Sequence, residues 1–288
     1  MAITNFISTV WTENLYKALD KHYVTAANCN RDYEGDVKGT GSVVKICGVG
    51  GVTVSDYKKN TDMSTPQTLD DTCKELHISQ AKYFNFQVDD VDKAQSTPKL
   101  MDAAMDVAAR ALSDRAESYI FNLFYDARNQ MEITEPDAEA LVDFILNGRQ
   151  KLFARGVTDP SDIFLEVTPD VATMLIKAKV ILATDNKDTL DNGCIGSIFG
   201  CKVYVSNNVV KRYNDDMTKI LHHCIMRTKR SVAYVEQLSE IEAYRPERRF
   251  ADAVKGLHLY GACIAIEPEY QVLTVIVNNP EDPNAMPA

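Results

Sequence analysis

The sequence predicts an α+β fold, and three observations carry that prediction. After Pro98 the chain runs to about residue 130 without Pro or Gly and keeps helical spacing, far longer than a typical globular helix. Residues 74–89 alternate apolar and polar side chains with a period of two. The C-terminal third is a succession of β-rich segments divided by turn residues, with no helix between them, which disfavours a doubly wound βαβ sheet.

Residues 4–21 read as an amphipathic helix, with Phe6, Val10, Trp11, Leu15, Ala18 and Leu19 near a 3.6-residue period. Asn28, Asn30, Asp32, Gly35, Gly39 and Gly41 then mark irregular chain. Two short strands, SVVKIC and VTVSDY, are expected within 42–57, split by Gly48, Gly50 and Gly51, and a polar, turn-rich stretch follows from 58 to 71. In 74–89, Leu76, Ile78, Phe84, Phe86 and Val88 share one parity, and Glu75, His77, Ser79, Asn85, Gln87 and Asp89 the other; Gln80 and Lys82 break the apolar side. Together 36–94 read as an extended hairpin. Two strands cannot bury an apolar face alone, so the hairpin folds back on its own domain or lies across a neighbour.

The long helix has Thr97 as its cap and Pro98 in its first turn, and spans about 45–50 Å. Leu100, Ala104, Val107, Ala108, Ala111, Leu112, Ile120 and Leu123 mark its expected buried side. Thr134-Glu135-Pro136-Asp137 resembles a capping box with Asp in place of Glu, ahead of Leu141, Phe144, Ile145 and Leu152. Thr168-Pro169-Asp170 opens another helix with Ala172, Leu175 and Ile176 inward. Strands are expected at 163–167, 202–206, 220–227, about 240–250, 257–266 and 272–277, and the Pro- and Asn-rich tail reads as unpacked.

The chain has 288 residues, 45% of them apolar, enough for a sizeable core. No apolar run approaches the roughly 20 residues that cross a bilayer, and the N-terminus lacks the pattern of a signal peptide, so folding in a cytoplasm is expected. A formal net charge of -10 argues against gripping nucleic acid over the whole surface, though not against enclosing it. Cys29, Cys47, Cys73, Cys194, Cys201, Cys224 and Cys263 are scattered, which disfavours a disulfide framework or a structural zinc site and suits small buried hydrophobes.

Candidate chemistry is sparse. GDVKGTGS lacks the G-K-[ST] ending of a phosphate loop, and Gly48-Val49-Gly50-Gly51 opens a strand, not a helix. Around Asp89, Asp90 and Asp92, calcium-loop spacing places Gln95 and Met101 where Gly and Glu are needed; these acids read as company for a helix N-terminus. His222, His223 and Cys224 are adjacent, and on a strand successive side chains point to opposite faces, so they do not share one ion. No G-x-S-x-G is present. No catalytic, cofactor-binding or metal-ligating residue is therefore assigned, and no cofactor is expected. Arg245, Arg248 and Arg249, interleaved with Glu242 and Glu247, read as an ion-pair network within or between subunits more readily than as a DNA-facing patch.

Five segments, in this order, resemble the tailed-bacteriophage major capsid proteins with the Hong Kong 97-type fold. FISTVWTENLYKAL resembles the N-terminal arm helix. GDVKGTGSVVKI through VTVSDYKKN to LHISQAKYFNFQVDDVDKAQ resembles the extended E-loop, and PKLMDAAMDVAARALSDRAESYIFNLF the spine helix. IGSIFGCKVYVSNNV resembles a turn and strand of the axial domain, and AYVEQLSEIEAYRPERRFADAVKGLHLYGACIAIEPE the closing strands of the peripheral domain. The resemblance implies an arm at 1–35, an E-loop at 36–94, a peripheral domain with the spine helix at 95–162 and 236–288, and an axial domain at 163–235.

It further implies a structural subunit without catalysis. Such a subunit forms hexamers and pentamers, assembles as a procapsid in the bacterial host cytoplasm, and encloses packaged double-stranded DNA in the virion without sequence-specific binding. A separate scaffolding protein and a portal are implied partners, and a membrane is not. The E-loop pattern begins by residue 36, leaving no room for the cleaved scaffolding segment of some relatives. The alternative is an encapsulin-like nanocompartment subunit enclosing an enzyme cargo; the long 58–71 connection favours the phage. A soluble α+β enzyme is the weakest reading. Intersubunit contacts are expected at Phe6, Trp11, Tyr57, Lys58, Lys59, Arg245, Arg248 and Arg249. Trp11, the sole tryptophan, suits an anchor, with core packing as the competing reading. Lys58 and Lys59 sit where some relatives place a cross-linking lysine and read here as solvated.

Overall fold

The computed structural model describes residues 15, 17–19, 22–34, 42–49, 54–57, 59, 60, 62, 65, 71–89, 100–157, 159–178, 193–238, 241–248 and 250–279. Leu15, residues 17–19 and His22 are helical, and a 3-10 turn follows at Ala26–Asn28. Strands β1 (Val43–Val49) and β2 (Asp71–His77) pair antiparallel as a ribbon. Then come β3 (Gln80–Asp89), helix α1 (Leu100–Phe121), a 3-10 turn at Asn122–Asp126, β4 (Gln130–Thr134) and helix α2 (Ala138–Ala154). β5 (Ile163–Val167), helix α3 (Pro169–Lys177), β6 (Cys194–Ile198), β7 (Cys201–Val205), β8 (Lys211–Tyr213) and β9 (Lys219–Thr228) follow. The chain closes with β10 (Val232–Leu238), β11 (Glu242–Tyr244), β12 (Ala251–Ile264) and β13 (Tyr270–Asn278).

Among the described residues, two larger sheets form. In the four-stranded one, β3 lines one edge of β12 from Ala251 to Tyr260, while β10 and β11 succeed each other along its other edge. The seven-stranded sheet runs β4-β13-β9-β5-β7-β6, with β8 also on β9. β4 and β13, from outside residues 163–235, complete the sheet that β5–β9 begin.

Alternation along the strands gives each sheet two working faces. In β9, Cys224 and Met226 enter one core with Leu141, Phe144, Ile145 and Leu152 of α2 and Val171, Ala172 and Leu175 of α3. Ile225 enters another, shared with α1, the N-terminal residues Leu15, Leu19 and Tyr23, and the four-stranded sheet. That second core joins the two sheets. In β12 the even residues Val254, Tyr260, Ala262 and Ile264 face it, while Leu257, Leu259 and Cys263 face the ribbon.

Local cap chemistry explains where the shorter helices start. Asp137 is itself the N-cap of α2, accepting from Ala140 N at 2.7 Å; Thr134 is still in β4, so the expected capping box is displaced by three residues. Thr168 caps α3 and Pro169 opens it, as the sequence suggested, but Ile176 is exposed rather than inward.

The long helix is shorter than expected. α1 has 22 residues, about 33 Å, and the apolar run NLFYD that prolongs its pattern is a 3-10 turn leading into β4. Its buried stripe is Ala109, Leu112, Ser113, Ala116, Glu117 and Ile120, whereas Val107 and Ala111 are exposed. The expected start at Thr97 and Pro98 lies outside the described residues, as does most of the helix read at 4–21. VTVSDY was expected to be a strand, but its described part, 54–57, has no strand structure.

The 74–89 pattern holds a junction. Its first part pairs with β1 and its second with β12, and the break at Ile78 and Ser79 is where Gln80 and Lys82 had spoiled the parity. β12 passes this junction at Gly261, where an added Cβ would collide with the His77 carbonyl oxygen and crowd the Ile78 backbone. Gly261→Ala is expected to destabilise the fold by about 1–3 kcal/mol through overpacking. Hydrogen exchange should show β1 and β2 loosening first; an unchanged unfolding midpoint would remove this close approach from the determinants of the fold.

Candidate assembly interface

The chain enters its body at residues 22–34, a segment with little regular structure whose backbone polar groups need partners. Charged side chains supply them. Glu117 of α1 accepts from Val24 N and from Thr25 N, the latter at 2.9 Å, and from Asn208. Arg227 of β9, fully buried, forks onto Glu166 of β5 at 3.0 and 2.8 Å. The same guanidinium donates to the carbonyls of Asn28 at 2.8 Å and Thr25 at 3.1 Å. Thr25 Oγ1 in turn donates to Glu166.

A third buried carboxylate, Glu236 of β10, accepts from Tyr23, Arg31, Tyr234 at 2.9 Å and His258 Nε2 at 3.0 Å. Burial works against its charge, but the bonds from His258 and the Arg31 charge outweigh it and hold the carboxyl below its ordinary range. Glu117 goes the other way: burial raises it despite the backbone donors. Three acids on three elements thus hold residues 23–31 against the body.

The ribbon is half sheltered by its own chain. Val44, Leu76 and Ile78 are buried, with Ile46 beside them, against Ala233, Val235 and Leu259 of the four-stranded sheet. The opposite face carries Val43, Lys45, Cys47, Cys73, Glu75 and His77, all exposed. On it Cys47 and Cys73 stand directly opposite each other and form a disulfide. This corrects the expectation drawn from scattered cysteines: their separation of 26 residues carries no motif, yet the strand register makes them neighbours. Farther out, every described residue from 54 to 65 is exposed, including Val54 at 93% and Tyr57 at 79%. Tyr83, Val107 and Phe250 add exposed apolar surface on the body. Between β3 and α1, Tyr83, Phe84, Ala108 and Leu112 line a groove flanked by Lys82 and Arg115.

Of the residues expected to make intersubunit contacts, Phe6, Trp11, Lys58 and Arg249 lie outside the described residues. Tyr57 and Lys59 are exposed on the ribbon's outer connection. Arg245 and Arg248 are exposed before β12, and Arg245 faces Asp252 at 3.8 Å. Val107 was expected on the buried side of the long helix and is exposed, because a helix pattern reports apolarity without saying what covers it.

The histidine pair is divided as strand geometry requires. His222 Nδ1 lies 3.0 Å from Thr168 Oγ1, whereas His223 Nδ1 lies 3.0 Å from Thr274 Oγ1 and its ring stacks on Phe124. Burial lowers both, and the Arg212 charge helps bring His223 down to about 4. Among the described residues no group of three or more His, Cys, Asp or Glu side chains is placed to hold a metal ion. No described helix is long and apolar enough to cross a membrane.

No family model matches this sequence, and no curated protein does. Solved structures do. A structure from Mycobacterium phage Che8 is 28% identical, with a TM-score of 0.66 over 87% of this chain and 90% of that one. The capsid of the cyanophage P-SCSP1u is 14% identical, with a TM-score of 0.62 over 84% and 85%. A virus-like particle from Pyrococcus furiosus is 15% identical, with a TM-score of 0.51 over 92% and 96%. The chain has the Hong Kong 97-type fold of tailed-phage major capsid proteins.

Arg227→Met is expected to cost about 3–5 kcal/mol, because it strands the Glu166 carboxylate in the core. Replacing both partners, Glu166→Leu with Arg227→Met, should restore much of that stability while leaving residues 24–29 faster to exchange, since the Thr25 and Asn28 carbonyls lose the guanidinium bonds that tie them to β9. Equal protection of those amides in the double variant would deny the anchoring role. A second expectation concerns pH. His223 stays neutral in the fold while the unfolded chain takes up its proton near pH 6.5, so stability drops as pH falls from 6.5 towards 4. Urea midpoints at pH 7.5 and 5 should differ less in His223→Gln than in the parent protein.

Proposed function

We propose that this chain is a shell subunit: a major capsid protein that self-assembles through hexamers and pentamers into an icosahedral phage head enclosing packaged double-stranded DNA. The observation that carries the reading is an unfinished surface on a capsid fold. The body closes its own cores, yet the ribbon leaves Val54 and Tyr57 in water, and Tyr83, Val107 and Phe250 add exposed apolar area elsewhere. Closed symmetry covers such patches with copies of the same chain.

In this reading the four-stranded sheet with α1 forms the peripheral body and the seven-stranded sheet with α2 and α3 the axial one. The arm fixed at residues 23–31 and the ribbon reach across to neighbours, with Phe6, Trp11, Tyr57, Lys58, Lys59, Arg245, Arg248 and Arg249 as contact candidates. A net charge of -10 suits a wall that encloses a polyanion and does not hold it. Scaffolding and portal proteins belong to the same proposal, as does assembly in the host cytoplasm. The role is structural, and no residue is assigned to catalysis.

Electron microscopy of the full-length protein, expressed with its neighbouring scaffold gene where one exists, tests this. Closed particles or capsomer rings are expected. A monomer at every concentration and salt tried would overturn the reading, and particles filled with an enzyme would favour the nanocompartment instead. Deleting residues 58–70, which spares β1 and β2, should leave thermal unfolding nearly unchanged and abolish stable shells.

A further inference from the structure

We infer that Cys47 and Cys73 form a reversible redox lock on the ribbon, open as a dithiol during assembly and closed as a disulfide once the particle meets an oxidising medium. The inference rests on the shell reading for its timing alone; the chemistry belongs to the subunit.

Three observations lead to it. Strand register sets Cys47 opposite Cys73, with Cα atoms 4.2 Å apart, so the pair is preformed by the backbone. Both lie on the ribbon's outer face, in the same row as Lys45 and Glu75, whereas the inner face packs on Ala233, Val235 and Leu259. The remaining cysteines are poor competitors. Cys29, Cys194, Cys201 and Cys224 are buried, and burial pushes Cys29 and Cys201 up to about 11 and Cys224 up to about 12. Cys263 is half-buried under the ribbon and is likewise raised, to about 11. Access therefore selects the facing pair, while burial disfavours the thiolates of Cys29, Cys201, Cys224 and Cys263.

The reaction needs an oxidant, and a small-molecule disulfide supplies it. The thiolate of one cysteine attacks that disulfide, releasing one thiol and leaving a mixed disulfide. The second cysteine's thiolate then attacks the protein sulfur and releases the other thiol. Two electrons pass from the cysteines to the small disulfide, and the two protons leave on the released thiols.

The consequence is mechanical. A two-stranded ribbon holds its shape weakly, and here the outer-face residues Val43, Lys45, Cys47, Cys73, Glu75 and His77 are all exposed. Joining residue 47 to residue 73 closes a loop with a sequence separation of 26 and pins the register of both strands. A reducing cytoplasm keeps the ribbon pliable while copies find one another, and release into an oxidising medium fixes it. Exposure makes the bond labile, as a switch requires.

The test uses the full-length protein equilibrated in reduced or oxidised glutathione, then labelled with a maleimide under native conditions and mapped by peptide mass spectrometry. Reduced protein should label at Cys47 and Cys73 ahead of the other five cysteines. Oxidised protein should lose both labels and yield a linked 47–73 peptide pair, with slower hydrogen exchange in β1 and β2. In Cys47→Ser and in Cys47→Val with Cys73→Val, that redox response should disappear while the fold's circular dichroism persists. Continued labelling of both sites in oxidised glutathione, or the same exchange change in the double variant, would overturn the lock. Microscopy of the same samples separates the two proposals: particles that still lack the disulfide in oxidised glutathione sink this one, and a disulfide in a protein that never assembles sinks the shell reading.

Discussion

Arg227 and Glu166 lie entirely out of water, and a buried ion pair is not by itself a favourable arrangement; desolvation takes back much of what Coulomb attraction gives. The pair makes sense through what else the guanidinium does. With the fork onto Glu166 complete, its other donors reach the carbonyl of Asn28 and that of Thr25, which also accepts from Asn28 N in the 3-10 turn. Glu117 does the complementary job for the amide donors of Val24 and Thr25, and Glu236 holds the flanking Tyr23 and Arg31. Side chains thus complete what the 3-10 turn and the single backbone bridge of Asn30 to Ala233 leave over. Because those side chains come from α1, β5, β9 and β10, the same contacts tie both sheets to one point.

Stability is therefore graded along the first hundred residues. At the entry point the chain is held by buried charge and by a core that includes Leu15, Leu19 and Tyr23. The ribbon base is held by a smaller cluster around Leu76 and Ile78 and by the close pass of β12 at Gly261. Farther out, each described residue from 54 to 65 is exposed. Such a gradient follows from surface and volume: a two-stranded projection has one face for its own body and none left for a second layer.

What the sequence disclosed follows the same physics. Helix starts were legible where cap chemistry is local, as at Thr168-Pro169, and β5 was legible because apolar residues fill a short run bounded by turn residues. β10, VAYVEQL, was absent from the strands read by pattern and entered only through the resemblance, because both its faces are buried and no alternation marks it. The end of α1 was misplaced because Leu123 and Phe124 continue an apolar pattern through a 3-10 turn. The anchoring network left no trace at all. Arg227 sits in an ordinary strand, and its partners lie 61 and more than 190 residues away, a juxtaposition that only the folded topology creates. The overall fold was nevertheless readable, since its signal lay in the order of whole segments, not in any one of them.

On the shell reading, these facts bear on how one sequence fits both five-fold and six-fold surroundings. Both sheets are packed on two faces, and the core that joins them includes the fully buried Tyr234, Tyr260 and Tyr270, so the body offers no soft seam along which to bend. Close-packed interiors shift between discrete arrangements and do not flex continuously. Adjustment must then fall on parts with few contacts of their own, and the outer ribbon is that part. An arm fixed at its root and a ribbon free at its far end form a sensible pair: the first sets direction, and the second absorbs the difference in angle between neighbours.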